Sequence, residues 1–116
     1  MTTTQDLTER QAHLEESVRR HTESADTLAA LEQHIESEVK RLESEIATLG
    51  DAVEAVPSSP DGGALARHDL RQRIIDAQLT CERHVHELAL LRDEISDTKA
   101  GRDAAVSELE LLKADQ

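Results

Sequence analysis

Apolar side chains recur along the first half of the chain at alternating steps of four and three residues. From Ile35 the line runs through Val39, Leu42, Ile46, Leu49 and Val53 to Val56. Backward it passes through Leu28, Ala25, Val18 and Leu14 to Leu7, interrupted by polar side chains at Gln11, His21 and Glu32. Alternating three- and four-residue steps place one apolar seam along an α-helix that packs lengthwise against another helix. Thr3 followed by Asp6 forms a capping-box pattern with Asp in place of Glu, so helix one is predicted to start near residue 4. Gly50 is a possible stop, but Val53 and Val56 keep the register beyond it. Helix one is therefore predicted to span about 4–56, roughly 75–80 Å at 1.5 Å per residue.

Pro57 ends that helix, because the residue before a proline is pushed out of the α region. The stretch Pro57-Ser58-Ser59-Pro60-Asp61-Gly62-Gly63 is the one punctuated segment. A connection this short predicts antiparallel neighbours, with Ser59 or Asp61 as cap of the next helix. Helix two, from about 64, carries its own seam of Leu70, Ile74, Ala77, Cys81, His84, Leu88, Leu91 and Ile95. A second stripe of Ile75, Leu79 and Leu90 with Ala89 lies off it, as on a helix that meets more than one neighbour. The pattern then thins over residues 96–103, around Gly101, and returns through Ala104, Ala105, Val106, Leu109, Leu111 and Leu112. Two architectures fit. If the Gly101 segment stays helical, the seam continues through Thr98, Arg102, Ala105, Leu109 and Leu112, and the chain is a two-helix hairpin. If it turns, a short third helix at about 102–114 folds back over the second stripe, and helix two ends near 97.

Composition agrees with long helices. The 116 residues are 33% charged and contain no Phe, Tyr or Trp, four Gly and two Pro. That length predicts a single helical domain over 1–116. Small-molecule pockets are usually walled by apolar and aromatic groups, so the absence of aromatics points away from catalysis. The formal net charge of −12 points away from a nucleic-acid partner, which needs a concentrated basic face. No basic region followed by an apolar run opens the chain, and no apolar stretch reaches the roughly 18 residues of a membrane span. A single cysteine, Cys81, makes neither a disulfide framework nor a zinc-finger spacing, and fits a reducing cytoplasm.

Charge is distributed unevenly. Residues 1–56 hold 13 acidic and 5 basic side chains, a balance of −8, and residues 57–116 hold 12 and 8, a balance of −4. Within 65–86 the sign reverses, with Arg67, Arg71, Arg73 and Arg83 against Asp69, Asp76 and Glu82. Those four arginines are the candidate partner-binding residues, suited to an acidic partner through charge-assisted bonds. Cys81 and His84, with His86 nearby, suggest a metal or nucleophilic site. No second cysteine completes a tetrahedral ligand set, and a helix surface supplies neither cleft nor oxyanion donors. The expectation is no catalytic residue, no metal and no cofactor. Glu36 with Lys40 and similar neighbours read as i,i+4 surface pairs. One seam serves a hairpin or a homodimer equally well.

Certain residues also resemble a known family. Leu7, Leu14 and Leu28, then Leu31-Glu32-Gln33-His34-Ile35, look like the first helix of the tubulin-binding cofactor A family. The resemblance continues through Pro60-Asp61-Gly62 and Leu65-Ala66-Arg67-His68-Asp69 to Arg102-Asp103-Ala104-Ala105 before Leu109 and Leu112. It departs in a longer helix one, in Ala66-Arg67 where the family carries paired lysines, and in lacking a proline near Thr80-Cys81. The resemblance implies an elongated antiparallel three-helix bundle in the cytoplasm, associated with the cytoskeleton. It implies a non-catalytic tubulin-folding chaperone that receives β-tubulin after chaperonin release, on the way to heterodimers and microtubules. Together with the second stripe, it selects three helices over two. The alternative function is a coiled-coil scaffold subunit of a cytoskeletal or prefoldin-like assembly.

Overall fold

The computed structural model describes residues 3–57 and 62–115, and the candidate caps Ser59 and Asp61 lie outside them. Two α-helices account for nearly all of these residues: α1, Thr4–Ala55, and α2, Gly63–Ala114, each of 52 residues. The third helix expected at 102–114 does not form as a separate element, because α2 runs unbroken through Gly101. Helix two therefore continues past 97 to Ala114, and the two-helix alternative is the one observed.

The reason lies at Gly101 itself. A Cβ built there would stand 2.8 Å from Nε2 and 3.0 Å from Cδ2 of His21 on α1. The glycine is where an imidazole lies against the backbone of the facing helix, and it breaks nothing. A mid-helix glycine costs only about 1 kcal/mol relative to alanine, and the seam residues on either side hold the segment helical.

α1 opens on the predicted cap. The Asp6 amide donates to Thr3 Oγ1 at 3.1 Å, and the Thr3 amide donates back to Asp6 Oδ2 at 3.3 Å. Along α1, Arg19 and Arg20 pair with Glu16, and Arg41 pairs with Glu38 and Glu45, all at three- or four-residue spacing. Such pairs each add only a few tenths of a kcal/mol to a helix. At its end the Val56 amide reaches back to the Val53 carbonyl at 3.3 Å, a tightened turn that Pro57 cannot extend. α2 starts with the Ala66 amide donating to the Gly62 carbonyl at 3.0 Å. A side chain at Gly63 would put Cβ 2.5 Å from the Pro57 carbonyl oxygen, so only glycine lets the turn close this tightly.

The described chain divides into two compact units. One pairs Met1–Glu32 with Leu90–Gln116, and its core is Leu14 and Ala25 against Leu91, Ile95 and Ala105. The other, Gln33–Ala89, is a helical hairpin with Ile35, Val39 and Leu42 against Ala77 and Leu88. Every one of these residues belongs to a predicted seam. No described side chain is fully enclosed, as follows when each apolar stripe has one facing helix to cover it.

The polar breaks in the α1 seam all fall in the first unit, where Glu32 and His21 meet residues of α2. The half-buried Glu32 accepts a hydrogen bond from Arg92 Nε at 3.0 Å. His21 Nδ1 lies 2.7 Å from the Ser17 carbonyl, which can only accept, so the proton sits on Nδ1 and Nε2 faces Gly101. Gln11 bonds Glu15 one turn along its own helix at 3.1 Å. Arg10 and Glu108 form a further ion pair between the helices of this unit. A slip by one heptad would separate Glu32 from Arg92 and His21 from Gly101, so these contacts specify register as polar seam positions do in coiled coils.

Candidate interaction surface

The four arginines expected to form one binding face do not share one. At roughly 100° per residue, Arg71 lies roughly 40° around α2 from Arg67, Arg83 roughly 160° and Arg73 roughly 240°. Arg67 is half-buried on the seam side, and its Nη1 donates to the Pro57 carbonyl at 3.5 Å, bracing the turn. Arg73 pairs with Asp69 at 3.4 Å across an i,i+4 step. Arg71 and Arg83 are exposed and form no ion pair with another described residue. A window that is basic in sequence is thus dispersed in space by the turn of the helix.

Cys81 and His84 are both half-buried on the α2 seam, where a small thiol and an imidazole fill core positions. His84 Nδ1 stands 3.5 Å from Glu87 Oε2 on the same helix, whereas His86 projects outward. Among the described residues, no group of three or more His, Cys, Asp or Glu is placed to share a metal ion. Two shallow depressions, both in the first unit, are open to solvent. His13, Glu16, Ser17, Arg20 and His21, all on α1, line one, and Ser24, Thr27, Leu28, Glu94 and Thr98 line the other. Among the described residues, no helix is long and apolar enough to cross a membrane.

The surface ladders of α1 are electrostatically perturbed. Hydrogen bonds from Arg19 and then Arg20 hold the Glu16 carboxyl down at about 2, against an ordinary 4.5. Arg41 likewise lowers Glu38. Both carboxylates are solvent-facing, and ion pairs of this kind are structural features of helix surfaces as often as functional ones.

Several large apolar side chains of α2 are also uncovered. Ile75 and Leu79 are 46% and 56% exposed, and Leu65 near the start of α2 is 75% exposed. The second stripe of α2, expected to be covered by a third helix, is bare because that helix does not exist. Single exposed leucines are ordinary on a protein surface, but these recur at helical spacing on one face of one helix. Sequence reasoning passed over Leu65, Val85 and Leu111 as exposed positions, although stepping by three and four from Ile75 back toward Leu65 would have put Leu65 on this line. No family model, no curated protein and no solved structure matches the chain.

Proposed function

We propose that this chain is a non-catalytic helical interaction module, a scaffold subunit that offers the outer face of α2 to a partner. The observation that carries the reading is the exposure of Ile75 and Leu79 on a helix whose core-facing seam is already occupied. Holding aliphatic side chains in water costs roughly 25 cal/mol per Å² of apolar surface relative to covering them. A partner helix recovers that energy, and the cores of both units, made of Leu, Ile, Val and Ala, hold the face in place. Among the described residues the buried side chains are all aliphatic.

A tubulin-folding role is the second reading; the cofactor A resemblance behind it implied a third helix, whereas α2 is continuous. The two readings separate in a direct experiment. With a photo-crosslinking residue at Leu79 in the native cell, the scaffold reading expects adducts with a second protein, and none from Ser44 on the polar outer face of α1. Co-elution of the purified chain with β-tubulin, abolished by alanine at Arg67, Arg71, Arg73 and Arg83, would overturn it in favour of the tubulin role.

A further inference from the structure

We draw no further inference here: the strongest candidate, the exposed line of Leu65, Ile75 and Leu79 along the outer face of α2, belongs to the surface already described, and nothing in the structure shows what covers it.

Discussion

Replacing Gly101 by alanine sets two known effects against each other, and the geometry fixes which wins. In an open helix surface the change stabilises by about 1 kcal/mol through backbone entropy and propensity. Here the new methyl would lie 2.8 Å from His21 Nε2 and 3.0 Å from Cδ2, inside any ordinary contact distance. The ring cannot swing aside freely, because its Nδ1–H is bonded to the Ser17 carbonyl at 2.7 Å. Overpacking costs typically about 1–3 kcal/mol, and giving up the hydrogen bond costs about 1 kcal/mol. Gly101→Ala is therefore expected to destabilise the chain by about 1 kcal/mol net of the propensity gain. In a His21→Ala background the obstruction is gone, and the same substitution should stabilise by about 1 kcal/mol. The cycle thus predicts a coupling of about 2 kcal/mol, well within what contacting residues show. Urea unfolding followed by far-ultraviolet circular dichroism measures all four corners, since the chain has no aromatic reporter. If Gly101→Ala stabilises both backgrounds equally, His21 does not pack on Gly101 and the register assigned to the first unit is refuted.

Three further outcomes follow from the same packing. Leu88→Ala, at a buried seam position, should cost about 2–3 kcal/mol, whereas Leu79→Ala on the exposed line should cost less than about 0.5 kcal/mol; urea midpoints that rank them the other way exchange core and surface. Arg92→Ala leaves the half-buried Glu32 without its cross-helix donor and should cost about 1 kcal/mol; the loss should shrink in 1 M salt, where screening reaches about 3 Å. The Glu16 carboxyl, held at about 2 by its two arginines, is depressed relative to the unfolded chain. Whatever stability it adds is present above the ordinary 4.5 and is lost as pH falls toward 2. A side-chain carboxyl titration by NMR should place its midpoint far below that of Glu16 in Arg19→Ala plus Arg20→Ala, and equal midpoints would contradict the pairing.

Both seams were legible in the sequence because apolar period is a direct record of which side of a helix is covered. Every buried hydrophobic side chain among the described residues, from Leu14 to Ala105, lies on a line traced from spacing alone. The cap at Thr3 and the stop at Pro57 were equally readable, since each rests on local chemistry. The helix count was not. Gly101 carries the same signal whether it ends a helix or makes room for a side chain 80 residues away, and only the position of His21 distinguishes the two. The polar breaks at His21 and Glu32 had the matching ambiguity, resolved by Gly101 and Arg92 on the facing helix. The spatial arrangement of Arg67, Arg71, Arg73 and Arg83 was not legible as a linear window either, because at about 100° per residue a helix disperses what sequence groups.

The continuity of α2 is the claim on which the surface assignment depends, because a third helix would cover the line that the two-helix form leaves bare. Nitroxide labels at Arg10 and Glu108, in a Cys81→Ala chain, test it within one unit. These residues form an ion pair between α1 and α2. An unbroken helix predicts strong dipolar broadening for this pair and little for labels at Glu94 and Glu108, which stand about 21 Å apart along one helix. A chain that turned at Gly101 would fold Glu108 back beside Glu94, so broadening in the second pair and its loss in the first would contradict the account.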